Sequence, residues 1–210
     1  LLSTSLGELL VITGAIFLGF PIPLLPVQII WLNFITDGFF TVALALEPRE
    51  KNLLDGVFNK PKKYIVDIFM GLRMITMALP MMLVTLILFG QYFSADLAKG
   101  LTISLTLLAV FQWFNAWNCR SQDQSVLSVN PLENKFMIFA TICAFFAQLV
   151  AVYHPIAHKF LRTVPLNLSE WLLIIALATS IIWIEEVRKY FVRSKQSQRA
   201  CRLPHQKRVV

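Results

Sequence analysis

Apolar residues in this chain come in six long blocks, separated by short clusters of charge, proline and small polar side chains. A helix needs about 20 mostly apolar residues to cross the roughly 30 Å hydrocarbon core of a bilayer. Blocks at about 1–20, 25–46, 65–93, 100–126, 136–153 and 170–187 match that length within a few residues. None alternates with the period of two that a membrane strand shows, so a barrel is not expected. The predicted fold class is all-α: a polytopic membrane helix bundle of six transmembrane helices. Pro21-Ile22-Pro23-Leu24 predicts a tight turn between the first two helices, and Pro80 predicts a kink in the third. The spacing of Asn167 and Glu170 predicts a capping box at the start of the sixth. Residues 94–99, 127–135 and 154–169 are predicted loops. Residues 1–195 read as one transmembrane domain, and 196–210 as a basic tail.

Composition agrees. Of the 210 residues, 57% are hydrophobic and 15% charged, against roughly a quarter charged in a soluble domain. The chain starts at Leu1 and enters an apolar run with no basic stretch before it. This predicts a fragment lacking its N-terminal part rather than a signal peptide. Cys119, Cys143 and Cys201 share no C-x-x-C spacing and predict neither a disulfide framework nor a zinc site. The net charge is +7, and its distribution excludes nucleic acid as the reason. The connector 47–63, Arg120 and Lys135 near the loop after the fourth helix, and the C-terminal stretch 188–210 hold 15 of the 19 Lys and Arg. By the positive-inside rule these share the cytoplasmic side, and the C-terminus with them. Their charge faces anionic membrane lipid, and no basic nucleic-acid fold motif accompanies it.

The informative residues are the polar ones inside the first two helices. An ionised side chain at mid-bilayer costs several kcal/mol, so each is a functional candidate. The first helix carries Ser5 and Glu8; the second carries Asn33, Thr36 and Asp37, then Gly38. Asn33, Thr36 and Asp37 stand at i, i+3 and i+4 and share a helix face; Ser5 and Glu8 are three apart and share another. Glu8 and Asp37 lie equally far from the Pro21–Leu24 turn, so an antiparallel hairpin sets them at one depth. Two carboxylates, an amide and two hydroxyls make an all-oxygen site suited to a hard cation such as Ca²⁺, Mg²⁺ or Na⁺. Gly38 lets the backbone loosen beside Asp37, which would free carbonyls as further ligands. Ser5 or Thr36, taken alone, fits helix-to-helix hydrogen bonding better than ion binding. A polar stripe on the fourth helix, Gln112, Asn115, Asn118 and Gln122, fits either helix bonding or ion coordination. His154 and His158 lie in an outer loop with Pro155 between them, and packing suits them better than metal binding.

Leu25-Pro26-Val27-Gln28-Ile29-Ile30-Trp31-Leu32-Asn33-Phe34-Ile35-Thr36-Asp37-Gly38 resembles the sixth transmembrane helix of type II P-type cation-transporting ATPases, closest to calcium pumps of the sarco/endoplasmic-reticulum type and their bacterial relatives. Leu2-Ser3-Thr4-Ser5-Leu6-Gly7-Glu8 resembles the fifth helix of that family. Asn115-Ala116 with Ser121-Gln122-Asp123-Gln124-Ser125 resembles the eighth, and Leu168-Ser169-Glu170-Trp171-Leu172 the start of the tenth. The resemblance implies that the chain is the last six helices of a ten-helix pump. It implies cation ligands at Glu8, Asn33, Thr36 and Asp37, with Ser5 at the position of the family's fifth-helix asparagine ligand and Gln122 at that of the eighth-helix glutamate. The implied substrate is a cation, Ca²⁺ by ligand charge. ATP and Mg²⁺ would act only through the actuator, phosphorylation and nucleotide domains, which together with the first four helices are the implied partners. The D-K-T-G-T phosphorylation motif of the family is not in these 210 residues. The implied location is a plasma membrane (the inner membrane in bacteria) or an endoplasmic-reticulum-type membrane. Two other classes fit a polytopic bundle: a secondary cation transporter or channel subunit, and an accessory membrane protein without an ion site. The first would be supported by an inverted repeat, but the N-x-x-T-D-G pattern occurs once; paired buried carboxylates oppose the second.

Overall fold

The computed structural model describes residues 2–47, 68–120, 126, 128 and 130–202, with side chains from Met70 in the third span and up to Phe191 in the last. Most of the described residues are helical, in nine α-helices: α1 (Leu2–Phe17), α2 (Pro26–Trp31), α3 (Gly38–Ala45), α4 (Ile68–Tyr92), α5 (Leu97–Asn118), α6 (Lys135–Tyr153), α7 (Pro155–Leu161), α8 (Leu168–Ala178) and α9 (Ser180–Arg202). A π-helical segment, Leu32–Asp37, joins α2 to α3, so Pro26–Ala45 is one rod. Five rods are long and apolar enough to cross a membrane; α1, at 16 residues, is a shorter apolar helix. The polytopic all-α bundle is thus the observed fold.

Local chemistry sets the ends. Gly19 adopts φ +70°. Phe20 N–H then bonds to the Ala15 carbonyl at 2.9 Å and Gly19 N–H to that of Ile16 at 3.1 Å, a glycine-terminated helix end that stops α1 short of the expected residue 20. Asp96 accepts from the N–H groups of Ala98 and Lys99 at 2.9 and 3.3 Å, so α5 starts at Leu97 rather than near Gly100. The expected capping box is present: Glu170 accepts from the Asn167 N–H at 2.7 Å. α4 runs unbroken through Pro80. Three further features differ from expectation. α5 ends at Asn118 rather than near 126, the loop after Tyr153 contains α7, and the sixth span breaks at Thr179 before continuing as a helix to Arg202.

α5 is the centre of the bundle. Every residue from Gly100 to Trp113 is buried. It also carries many of the buried polar side chains: Thr102, Ser104, Thr106, Gln112, Asn115 and Asn118. Large apolar side chains such as Phe17, Phe34, Phe139 and Trp183 are exposed instead. This is the arrangement lipid favours, with polar groups turned to neighbouring helices. α1 packs along α4 through its glycines: a Cβ on Gly7 would lie 2.9 Å from Met81 Sδ, and one on Gly14 2.7 Å from Leu86 Cδ1. That close approach, with α4 against α5, sets α1 beside the central helix and aims Glu8 inward.

Candidate ion-binding site

Glu8 is 4% exposed and Asp37 6%, and each is held by hydrogen bonds between helices. Glu8 Oε1 accepts from Gln112 Nε2 at 2.7 Å, and Glu8 Oε2 accepts from Asn33 Nδ2 at 3.1 Å. Asp37 Oδ2 accepts from the Thr4 hydroxyl at 2.8 Å. Thr36 is buried alongside. A further bond between α5 and α1 runs from Asn115 Nδ2 to Ser3 Oγ at 3.1 Å. Three rods therefore meet here: α1, the α2–α3 rod and α5.

Among the described residues the donors to the two carboxylates are neutral: two amides and a hydroxyl. They solvate the charges without cancelling them. Glu185, also fully buried, shows the contrast. Arg73 lies 2.7 Å from its Oε1, and Arg188 grips both its oxygens at 2.7 and 2.8 Å. Among the described residues no Lys or Arg side chain pairs with Glu8 or Asp37. Two such carboxylates converging in a membrane bundle call for a cation or a proton between them.

The second rod carries its ligand candidates on the π-helical segment Leu32–Asp37. A turn closed by i→i+5 bonds holds more residues than an α turn, so Asn33 and Asp37, four apart, come closer to one line along the axis. The expected loosening beside Gly38 is thus a widened turn just before it. The Thr41 hydroxyl takes up the Asp37 carbonyl at 2.6 Å.

The sequence expectations divide. Asn33, itself exposed, bonds to Glu8, Asp37 bonds to Thr4 on the helix that carries Glu8, and Thr36 is buried. Ser5 is exposed, while Thr4 beside it points inward to Asp37. Thr4 and Glu8 are four apart, and on a straight helix that spacing lies nearer one line than the three separating Ser5 and Glu8. Gln122 falls outside the described residues. The residue of that stripe that reaches Glu8 is Gln112, whose Oε1 is buried without a hydrogen-bond partner. Its signal was the stripe itself, which left open which member faced α1. Among the described residues no group of three or more His, Cys, Asp and Glu gathers to hold a metal. His158 bonds to the Val152 carbonyl at 2.6 Å, a packing role.

Comparison with known proteins places this geometry. A calcium-transporting ATPase of Bacillus subtilis is 29% identical over 181 residues, covering 85% of this chain and 20% of its own length. The calcium-transporting ATPase type 2C member 1 of Mus musculus is 28% identical over 197 residues, covering 93% of this chain and 22% of its own length. Calcium-transporting ATPase 1 of Saccharomyces cerevisiae is 26% identical over 200 residues, covering 94% and 21%. The chain thus spans about a fifth of the length of these relatives. The family model for the cation transporting ATPase C-terminus matches residues 21–191, from the Pro21 turn through the last side chain described, and the chain belongs to that family.

Proposed function

We propose that this chain is the ion-binding transmembrane part of an ATP-driven calcium pump. The observation that carries the reading is the state of Glu8 and Asp37: two buried carboxylates from neighbouring rods, held by neutral donors and paired with no Lys or Arg side chain among the described residues. The names of the relatives support calcium as the cargo. Two negative charges among amide and hydroxyl oxygens suit one hard divalent ion. Glu8, Asn33, Thr36 and Asp37 are the proposed ligands. Thr4 and Gln112 hold the two carboxylates in place; Ser5 is exposed and has no support from the geometry, while Gln122 lies outside the described residues. Gln112 brings an oxygen but no charge, so a second divalent ion would be under-neutralised. ATP and Mg²⁺ act through the phosphorylation and nucleotide domains of the whole protein, and the basic connector and tail lie on the cytoplasmic side. The secondary-transporter reading has no observation in its favour.

The test is equilibrium binding of ⁴⁵Ca²⁺ to the full-length protein that carries this chain, counted per phosphorylated aspartate. One ion per site is expected, and Asp37→Asn should lose nearly all of it. Two ions per site would show that Gln112 does not limit the stoichiometry. Undiminished binding in Asp37→Asn would remove Asp37 from the site.

A further inference from the structure

The π-helical segment that carries Asn33, Thr36 and Asp37 is tied down at both ends, and both ties run to the C-terminal helices. At the α2 end, Gln28 is fully buried and uses both atoms of its amide. Its Oε1 accepts from the Leu25 N–H at 3.0 Å, and its Nε2 donates to the Leu161 carbonyl at 2.8 Å, at the end of α7. At the α3 end, Glu47 meets Arg120 and Asn134. Arg120 Nε donates to Glu47 Oε1 and Oε2 at 3.0 and 3.2 Å, and Arg120 Nη2 lies 2.8 Å from Oε1. Arg120 also donates from Nη1 to the Asn130 carbonyl at 3.3 Å. Asn134 Nδ2 donates to Glu47 and, at 3.0 Å, to the Ala43 carbonyl, while its Oδ1 accepts from the Met137 N–H that opens α6 at 3.0 Å. Arg120 is 8% exposed and Asn134 1%.

We propose that Gln28 at one end, and Arg120 with Asn134 at the other, are positioning residues for the ion site: they clamp the α2–α3 rod onto the C-terminal helices on either side of its π-helical segment. The reason is mechanical. A π-helical segment packs a different number of residues into each turn than an α-helix. Its relaxation to α geometry must therefore rotate or lengthen the rod, and anchors on both sides oppose either movement. Asn33 and Asp37 are then kept facing Glu8 and Thr4 before an ion arrives. Less of the binding free energy is spent on ordering ligands, so affinity rises. Arg120 suits this task because its rigid, planar guanidinium reaches Glu47 through Nε and the Asn130 carbonyl through Nη1 at once. None of these anchor side chains bonds to Glu8 or Asp37, so their influence on the ion passes through the rod.

This inference rests on the proposed ion site, and its test separates the two. ⁴⁵Ca²⁺ binding to the purified full-length protein is measured across free Ca²⁺ concentrations, with the unfolding temperature read on the same samples. Arg120→Ala and Gln28→Ala should each raise the half-saturating concentration roughly tenfold, with the number of ions bound at saturation unchanged. Exchanging the charges, Glu47→Arg with Arg120→Glu, should recover most of the affinity lost in Arg120→Ala. If Arg120→Ala does not fold, Arg120→Lys keeps the charge but loses the planar guanidinium, and a smaller loss of affinity is expected. An unfolding temperature that falls while Ca²⁺ affinity stays at the wild-type value, in whichever Arg120 variant folds, overturns the clamp and leaves the anchors as stabilising contacts. A wild-type protein that binds no Ca²⁺ overturns the ion site itself, and the clamp with it.

Discussion

At the scale of single residues, the amide of Gln112 decides how the site behaves when empty. Its Nε2 donates to Glu8 Oε1 at 2.7 Å, a contact that tolerates a full negative charge on Glu8. A carboxylate in its place would face Glu8 at the same separation and repel it unless a cation or proton lay between them. Gln112→Glu should therefore make folding depend on the ion. The gap between unfolding temperatures with and without saturating Ca²⁺ should widen in that variant and narrow in Glu8→Gln, because only what binds the folded state raises its stability. An unchanged gap in both would detach Gln112 and Glu8 from the ion. Glu8, Asn33, Thr36 and Asp37 could be picked out as candidates in the sequence because charge and spacing are written directly in it. It did not show that Thr4 rather than Ser5 turns inward. Both are small hydroxyl residues beside the same glutamate, and the choice depends on how α1 rolls against α4, which is fixed by packing at Gly7 and Gly14.

At the scale of elements, that packing can be tested on its own. Gly7 leaves no room for a side chain against Met81, and overfilling a tight contact costs about 1–3 kcal/mol. Gly7→Val should lower the unfolding temperature by a matching amount and weaken Ca²⁺ binding, since α1 would carry Glu8 away from α5. Gly71 in α4 has nothing within 4 Å of an added Cβ. Gly71→Ala should be neutral or stabilise slightly, as alanine does in an open helix position. Equal effects at the two glycines would contradict the close α1–α4 approach. The helical rods were legible because long apolar runs admit little else. Three features were not. The π-helical segment arises inside a run that also fits an α-helix. The break at Thr179 has no proline or glycine beside it to announce it. α7 is a short amphipathic piece in what reads as a loop, begun by His154 accepting from the Ile156 N–H at 3.3 Å and by Pro155 at its first position.

At the scale of the whole molecule, the charged cluster around Glu185 ties the last span to the third. Glu185 is fully buried between Arg73 of α4 and Arg188 of its own helix. Removing the acid while leaving two largely buried arginines costs about 3–5 kcal/mol. Glu185→Ala should thus reduce the yield of folded protein sharply, whereas the ion affinity of what does fold should stay near wild type, since the cluster makes no bond to Glu8 or Asp37. A stable Glu185→Ala protein would mean that the cluster carries little of the bundle's cohesion. The position of α5 bears on how the protein is made. The helix that carries Gln112, Asn115 and Asn118 is the most enclosed one, and it leaves the ribosome before α8 and α9, which pack over it, have been synthesised. Of the described helices, α1, the α2–α3 rod and α4 are the ones then at hand for its amides, in a lipid that offers them no hydrogen bonds. Entry of this helix into the membrane is thus a collective event rather than a private one. A substitution that spoils a neighbour's surface will show itself first as a chain that fails to leave the insertion machinery, before any loss of transport can be measured.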